Sequence, residues 1–397
     1  MTATTPSAAA RPPLAGLCIL DLTRLLPGPL ATQHLADYGA EVIKIEDTGA
    51  GDYARTLGAM GGDNSYLYQI VNRNKKSLRL DLKQEAGKDL LRRLAADADA
   101  LVEGFRPGVM DKLGLGYEAL AAINPRLVFC SISGYGQTGP YALRAGHDIN
   151  YIGYAGVLDQ IGTAGGPPAV PNLQIGDLLG GTMAAVTGVL VALLEARTTG
   201  RGRHVDVAMT DAAFAHAIFP LIEVLAHGGV RPRGEDLLTG AVPCYGVYRT
   251  ADGRYMAVGA LEEKFWHMAC DALGRSDLKP LHLATGEAGA RARAEVQAVF
   301  LTRTQAEWVA VFDGVDCCVT PVLQLEESLQ DPQLLARGMV REVGGMTQFG
   351  PPVRLAGFEP PAARPAPVRA GDDSEAVLGA LGLGASEIAR LREAGVI

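Results

Sequence analysis

The sequence predicts an α/β fold, with a large Rossmann-like parallel-sheet domain and a smaller α+β domain. Between residues 16 and 133, short β-rich segments alternate with helical segments, which is typical of βαβ units and a parallel sheet. After about residue 225 the pattern changes to a hairpin followed by helices. The chain has 397 residues, 48% of them hydrophobic, so its length and composition allow two to three domains.

The elements of the large domain are predicted in the order of their β-rich runs. The first run, LCILDL, precedes a helix through GPLATQHLADYG. Strands are predicted at residues 17–22, 41–46, 77–82, 100–105, 126–133 and 204–209. A long apolar helix is predicted from about Leu178 to Arg197, ended by the breaker run TTGRGR.

The smaller domain is predicted from a hairpin, CYGVYRT and RYMAVGA around an Asp-Gly turn. Helices at 263–273 and 289–301 and a buried strand in DCCVTPVL follow. In chain order, the sequence predicts a disordered tail at 1–14, the large domain at 15–225, the small domain at 235–325, and a return segment at 326–397 whose C-terminal helices pack on the large domain.

Composition excludes several classes of function. The net charge of −8 argues against a nucleic-acid partner, which a basic face would bind. The first residues lack the apolar core of a signal peptide, and the longest apolar run, Met183–Leu194, is too short to cross a bilayer. The six cysteines form no CxxC pair and no metal-ligand spacing. We therefore expect a cytoplasmic protein with no membrane segment and no metal site.

The segment Gly134-Tyr-Gly136-Gln-Thr-Gly139 matches the GxGxxG pattern of dinucleotide-binding proteins. Such a pattern requires a helix that opens at the third glycine, and here Pro140 and a loop follow instead. This context disfavours a nicotinamide or flavin site. The segment is better interpreted as a glycine-rich turn that lets the backbone pass close to a neighbouring group.

A basic cluster, NRNKK at residues 72–76, stands out against the acidic background. Its cations include Arg73 and Lys75, and they are typical either of a solvated loop or of a site for a polyphosphate such as the 3′-phospho-ADP of coenzyme A. Arg106 and Lys112 follow the next predicted strand. Loops at the carboxyl ends of parallel strands meet at the ligand crevice, which favours the polyphosphate interpretation.

His147 and Asp177 are the candidate catalytic pair, although each has an ordinary structural explanation. Asp177 precedes the long apolar helix, where it could serve as an N-cap, and a lone histidine is more often structural than catalytic. Together, however, they could exchange the α-proton of a thioester. That reaction requires a base within reach and stabilisation of the enolate oxygen, which backbone N–H groups at a helix start could provide.

The position of Asp177 creates an electrostatic conflict. A helix N-terminus stabilises the carboxylate, whereas a good base needs a raised pKa. Burial in an apolar pocket could offset the effect of the helix.

From about residue 14 to its C-terminal tail, the chain resembles the class III coenzyme A-transferase family, and within it the α-methylacyl-CoA racemase branch. The matching segments are LDLTRLLPGPLATQHLADYGAEVIKIE, NRNKKSLRLDLK, EGFRPGVMDKLGLGYE, SGYGQTGPY, AGHDINY, QIGD, GRGRHVDVAM, ADGRYMAVGALE and CVTPVL.

The resemblance implies roles for individual residues. In the racemases the histidine of GHDINY and the aspartate before the next helix are the catalytic pair, and they match His147 and Asp177. A glutamate of the small domain approaches the site and matches Glu262. In the transferases the aspartate is a covalent nucleophile, so His147 discriminates between the two activities. The form GHDINY favours a racemase of 2-methylacyl-CoA thioesters.

The resemblance also implies contacts with coenzyme A, which is part of the substrate, and no further cofactor. Backbone near Leu80 and Leu82 would hold the adenine, and Arg106 and Lys112 would face phosphates. Gly136 and Tyr151 are further expected contacts. The implied assembly is an interlocked homodimer, in which Glu262 reaches the active site of the other subunit.

Three other functions remain open at this point. A CoA-transferase would use Asp177 as its nucleophile and need a carboxylic acid acceptor. A dinucleotide-dependent oxidoreductase is disfavoured by Pro140. A non-catalytic acyl-CoA-binding protein would bind the thioester without changing it.

Overall fold

The computed structural model describes residues 11–397, so most of the predicted tail at 1–14 lies outside the described residues. Its strands are β1 (Cys18–Leu22), β2 (Glu41–Glu46), β3 (Met60–Gly61), β4 (Asn64–Ser65), β5 (Lys75–Arg79), β6 (Ala100–Glu103), β7 (Val128–Ser133), β8 (His204–Ala208), β9 (Tyr245–Arg249), β10 (Tyr255–Gly259), β11 (Val319–Pro321), β12 (Val340–Val343) and β13 (Met346–Phe349).

The α-helices are α1 (Pro27–Asp37), α2 (Tyr66–Val71), α3 (Glu85–Asp97), α4 (Val109–Lys112), α5 (Tyr117–Ile123), α6 (Asp148–Tyr154), α7 (Ala184–Thr199), α8 (Met209–Ala215), α9 (Ile218–His227), α10 (Glu263–Ala272), α11 (Gly286–Phe300), α12 (Gln305–Phe312), α13 (Leu325–Ser328), α14 (Pro332–Ala336), α15 (Ser374–Ala380) and α16 (Ala385–Glu393). A π-helical segment, Gly176–Met183, runs directly into α7.

The chain forms two compact units. Within the described residues, the first contains 11–155, Asn172–His216 and Ala336–Ile397. The second contains Gly156–Pro171 and Ala217–Leu335. Residues 156–171 and 217–225, which the sequence had placed in the large domain, therefore belong to the second unit. Residues 326–335, predicted as part of the return segment, belong to the second unit as well.

The first unit is built on a six-stranded parallel sheet in the order β5-β2-β1-β6-β7-β8. The chain runs outward from β1 through β2 to β5, and then from β6 through β7 to β8 on the other side. The order therefore reverses between β1 and β6. In sheets of this kind, ligands bind beyond the carboxyl ends of the strands at such a reversal.

Helices cover both faces of this sheet, because alternate strand residues carry apolar side chains to opposite sides. One face packs Leu20, Leu101 and Phe129 against α3, α5 and the C-terminal helices. The other face packs Ile19 and Val128 against α1 and α7. The parallel α/β fold predicted from the sequence is confirmed.

The π-helical segment lies unusually close to its neighbours. A side-chain Cβ on Gly180 would stand 2.5 Å from the Met209 carbonyl oxygen, and one on Gly181 would stand 2.6 Å from Pro27 Cβ. Only glycine permits this approach. The sequence predicted an ordinary helix from about Leu178, and the structure instead begins with a wider turn, a form frequent at functional sites.

The second unit has a three-stranded antiparallel sheet in the order β11-β10-β9. The predicted hairpin is present as β9 and β10. Trp266, Phe300 and Trp308 are buried in its core. The strand predicted through Cys317 and Cys318 is wrong for these two residues. Cys318 is exposed and has a left-handed backbone with φ of +58°, so the strand begins only at Val319.

Within residues 11–397, the continuous helix Gly176–Thr199 has the length and apolar composition of a membrane-spanning segment. It is longer than the apolar run recognised in the sequence. One side of it is buried against the sheet through Ala185, Val189 and Leu193. The core helix of an α/β domain has the same apolar character.

Candidate active site

A cavity of about 650 Å³ opens at the carboxyl edge of the sheet. Its wall includes Thr23–Leu25, which follow β1, and Gly104–Pro107, which follow β6. These two loops flank the point where the strand order reverses. The cavity is therefore at the place where the topology predicts a ligand, and both His147 and Asp177 line it.

His147 is held at the start of α6, in the N-cap position. Its backbone N–H donates to Asn150 Oδ1 at 3.0 Å, and its carbonyl accepts from the Asn150 N–H at 2.8 Å. These two hydrogen bonds fix the backbone and leave the imidazole exposed at the cavity. The helix start therefore presents the His147 side chain at the cavity wall.

Tyr151 anchors the loop that carries His147. Its hydroxyl donates to the Gly146 carbonyl, and its ring fills the space beside Gly134 and Gly146. A Cβ on Gly134 would lie 2.3 Å from the Tyr151 ring. The sequence identified Tyr151 as a coenzyme A contact; here its buried ring reaches the cavity wall and its hydroxyl is committed to the loop.

Asp177 lies in the first turn of the π-helical segment, with Gly176 packed against α6. Its backbone N–H donates to Asp148 Oδ1 at 3.0 Å. The next N–H, that of Leu178, donates to the Gln174 carbonyl at 2.8 Å. The sequence had suggested that N–H groups here bind the enolate oxygen, and these two N–H groups are already engaged.

The pKa of the Asp177 carboxyl is raised from 3.8 to about 6. Burial is the largest cause, the negative charge of Asp148 adds to it, and His147 acts in the opposite sense. This resolves the conflict recognised in the sequence, because burial and Asp148 outweigh the preference of a helix start for a charged aspartate. A carboxylate with this pKa is a better base near neutral pH.

A second cavity, of about 610 Å³, lies along the same edge of the sheet. Leu80 and Leu82 line it, as do residues that follow β2. Arg24 and Phe105 line both cavities. A long ligand could therefore extend from Leu80 and Leu82 past Arg24 and Phe105 to His147 and Asp177.

Lys75 was expected to bind coenzyme A, and its position contradicts this. Its side chain is fully buried, with Nζ 2.8 Å from Asp21 Oδ2 and further hydrogen bonds to Asn72 Oδ1 and the Pro29 carbonyl. Burial lowers the pKa of Lys75 to about 8, although Asp21 opposes the shift. The ammonium group is a structural cation inside the domain.

Arg73 is likewise unavailable to a ligand. Its guanidinium is buried and forms a bidentate ion pair with the Asp37 carboxylate, with N···O distances of 2.6 and 2.9 Å. It also donates a hydrogen bond to Gln348 Oε1. The basic cluster therefore supplies internal ion pairs more than a phosphate site. The sequence showed the charges but not the acidic residues that pair with them, which come from distant segments.

Lys44, which the sequence analysis did not single out, is a further buried cation. Its Nζ is 2.8 Å from Asp52 Oδ2 and donates to the Thr23 carbonyl at 2.9 Å. Asp52 in turn accepts the N–H of Leu25, a residue with φ of +67°. The buried charges thus hold the strained loop after β1 that forms part of the cavity wall.

The other residues expected to contact coenzyme A or the active site occupy different places in the structure. Arg106 lines the catalytic cavity and is exposed. Lys112 is exposed at the end of α4 and lines neither cavity. Gly136 occupies a buried turn with φ of +84°, outside the cavity walls. Glu262 is the exposed N-cap residue of α10 in the second unit, and its role stays a prediction.

Arg24, Phe105, Arg144 and Asp148 belong to the site or support it, and the sequence analysis assigned them no role. Arg24 follows β1 as Arg106 follows β6, so the rule that selected Arg106 could also have found Arg24. Arg144 donates to the Tyr154 hydroxyl and lies over the Tyr141 ring. In the described part of the chain, no group of three His, Cys, Asp or Glu residues could hold a metal ion.

Comparison with known proteins agrees with this architecture. The family model described as CoA-transferase family III matches residues 14–374. The chain is 38% identical to the human alpha-methylacyl-CoA racemase, covering 82% of this chain and 81% of the relative. It is 36% identical to the acetyl-CoA:oxalate CoA-transferase of Acetobacter aceti, covering 92% and 94%. The crystal structure of a CAIB/BAIF family protein from Brucella suis matches with a TM-score of 0.82 at 30% identity, covering 94% of this chain and all of that one.

Proposed function

The chain belongs to CoA-transferase family III, and from this premise we propose that it is a racemase of 2-methylacyl-CoA thioesters. The observation that carries the proposal is the presence of His147 and Asp177 in one cavity at the carboxyl edge of the sheet. The transferases need only the aspartate, whereas racemisation needs a second group that handles protons.

In the proposed reaction, one member of the pair removes the α-proton and the other supplies a proton to the opposite face. With one enantiomer as substrate, the Asp177 carboxylate accepts the α-proton. The electron pair of the broken C–H bond moves into an enolate. The protonated His147 then donates its N–H proton to the α-carbon. Asp177 ends protonated and His147 neutral, and proton exchange with water restores both.

We further propose that the thioester lies across both cavities. The adenosine part would occupy the cavity lined by Leu80 and Leu82, and the reacting carbon would occupy the cavity of His147 and Asp177. Arg24 and Arg106 would face the phosphates between them. Cationic guanidinium groups suit phosphate oxygens.

The proposed assembly is a homodimer. All of α9 lacks buried residues, and its exposed apolar side chains are Ile218, Phe219, Leu221, Ile222, Val224 and Leu225. In the first unit, α7 exposes Val191 and Leu194 on the side away from the sheet. Apolar surfaces of this extent support association with another protein surface, which we assign to a second copy of the chain.

The test is deuterium incorporation. One enantiomer of a 2-methylacyl-CoA is incubated with the protein in deuterated water without an acid acceptor, and the α-position is followed by NMR. We expect deuterium to enter with loss of configuration. The variants His147→Ala and Asp177→Ala should each lower the rate by ~10²–10⁴-fold, because each loses a proton-transfer group.

A matched control is His216→Gln, at an exposed histidine outside both cavity walls, which should exchange at the wild-type rate. Near-normal exchange in either catalytic variant would refute the two-base scheme.

A CoA-transferase is the second candidate, favoured by the longer coverage of the Acetobacter aceti relative. In that reaction Asp177 would attack the thioester carbonyl, release CoA thiolate and form an acyl anhydride. Absence of exchange, together with a hydroxylamine-sensitive acyl group on Asp177, would select the transferase.

A further inference from the structure

We infer that Asp148 is a positioning residue for Asp177, which fixes the Asp177 backbone and sets a second negative charge beside its carboxylate. The inference rests on the proposed function, because it concerns the same proton transfer. Asp148 adjoins His147 in sequence but serves the opposite member of the pair. One short segment would thus organise both faces of the reacting carbon.

The geometry brings two helix starts together. Asp148 is the first residue of α6, and its Oδ1 accepts the N–H of Asp177, in the first turn of the π-helical segment, at 3.0 Å. Gly176 lies between them, and a Cβ there would stand 3.0 Å from Asp148 Oδ1 and 3.3 Å from Tyr151 Cβ. A larger residue at Gly176 would displace these neighbours slightly, so the two segments are closely packed here.

Two carboxylates so near each other need compensation. Each lies in the first turn of a helical segment, where the backbone N–H groups favour negative charge. The hydrogen bond from the Asp177 N–H compensates the negative charge of Asp148 in particular. The negative charge of Asp148 acts on Asp177, whose pKa it raises.

The groups that face Asp177 define the expected pH dependence. Asp148, His147 and Tyr151 come from the segment around α6, and Arg24, Arg106 and Arg144 line the cavity. Burial first and Asp148 second raise the pKa of Asp177, while His147 lowers it. Removal of the Asp148 charge should therefore move the pKa of Asp177 downward and weaken it as a base.

The experiment separates charge from position with three variants. Asp148→Asn keeps an oxygen that can accept the Asp177 N–H but removes the charge. Asp148→Ala removes both, and Asp148→Glu keeps the charge on a longer side chain. Asp211→Asn, at an exposed aspartate in the first turn of α8, is the control.

Two readouts are used. The first is the pH profile of α-proton exchange in the direction in which Asp177 removes the proton. The second is the titration of the Asp177 carboxyl carbon by ¹³C NMR, assigned with Asp177→Asn. For Asp148→Asn we expect both midpoints to fall by about 0.5–1 pH unit, a shift typical of losing one nearby like charge. Asp148→Glu should keep the wild-type midpoint, and Asp148→Ala should lose more rate than Asp148→Asn.

A folded Asp148→Asn protein with an unchanged Asp177 titration would overturn the inference. If Asp148→Asn does not fold, a lowered midpoint in Asp148→Glu would overturn it instead, since that variant retains the charge. Failure of the proposed function has a different signature: the wild-type protein would show no exchange, while NMR would still report the dependence of Asp177 on Asp148.

Discussion

At the residue scale, Asp177 shows how one position can favour and disfavour the same charge. The helix start stabilises a carboxylate, but burial and Asp148 act against it and prevail, so the pKa rises to about 6. A group with this pKa can accept and release a proton near neutral pH. Ionising Asp177 at neutral pH therefore lowers the stability of the folded protein.

This cost predicts a pH-dependent gain of stability in Asp177→Asn. The folded pKa, about 6, lies above the ordinary value of 3.8, so the folded state binds the proton more tightly than the unfolded chain. The penalty is absent below the unfolded pKa and complete above the folded one. At pH 8 the variant should gain up to roughly 3 kcal/mol in free energy of unfolding, since one pKa unit corresponds to about 1.4 kcal/mol.

Urea unfolding of wild type and variant at pH 8 and pH 4.5 measures this difference, with Asp211→Asn as the control. The gain should shrink as pH falls between these values. An equal gain at both pH values would mean that ionisation of Asp177 is not its source.

At the scale of elements, the carboxyl edge of the sheet depends on charges buried beneath it. Lys75 from β5 pairs with Asp21 from β1, and Lys44 from β2 holds the loop after β1 through the Thr23 carbonyl. Although burial opposes ionisation of Asp21, the two lysines hold its pKa well below the usual range. The strands are thereby tied together where the cavity wall begins.

Variants of Lys75 and of its neighbour Lys76 test whether the buried ion pair stabilises the protein. Lys75→Met leaves Asp21 buried without its ion pair, so we expect a loss of about 3–5 kcal/mol in stability. Lys76→Met removes an exposed pair with Glu41 and should cost ~0–1 kcal/mol. Urea unfolding at neutral pH compares the two, and similar costs for both would contradict a structural role confined to Lys75.

At the scale of the whole molecule, α9 carries a dense group of exposed apolar side chains. The helix α9 has six exposed apolar side chains and no buried residue. So many exposed apolar side chains on one helix normally mark an interface with another protein surface. The proposed homodimer accounts for a surface that a single chain leaves open.

Sedimentation velocity provides the check. The wild-type protein should sediment as a dimer, and Leu225→Asp should weaken association by at least ~10-fold, because a charge would be buried in the interface. Leu283→Asp, at another exposed leucine of the second unit, should leave the dimer intact. A wild-type protein that sediments as a single chain would refute the assembly.

Local pattern was sufficient to predict the parallel sheet and the hairpin of the second unit. It made His147 and Asp177 candidates only, and their assignment as a catalytic pair rests on the resemblance and stays a prediction. The periodicity of strands and helices is visible in neighbouring residues. Because the ends of parallel strands converge, the sequence also predicted that distant loops form one site. The same reasoning failed for Arg73 and Lys75, because a positive charge in sequence does not reveal whether an acidic partner lies nearby.

Only the tertiary structure decided those pairings. Lys75 meets Asp21 across 54 positions of sequence, and Asp177 meets Asp148 across 29. The wide π-helical turn likewise depends on Met209 and Pro27, which approach Gly180 and Gly181 from other elements. Burial and charge pairing are long-range properties, so the sequence determined which residues could act, and the fold determined their protonation and their partners.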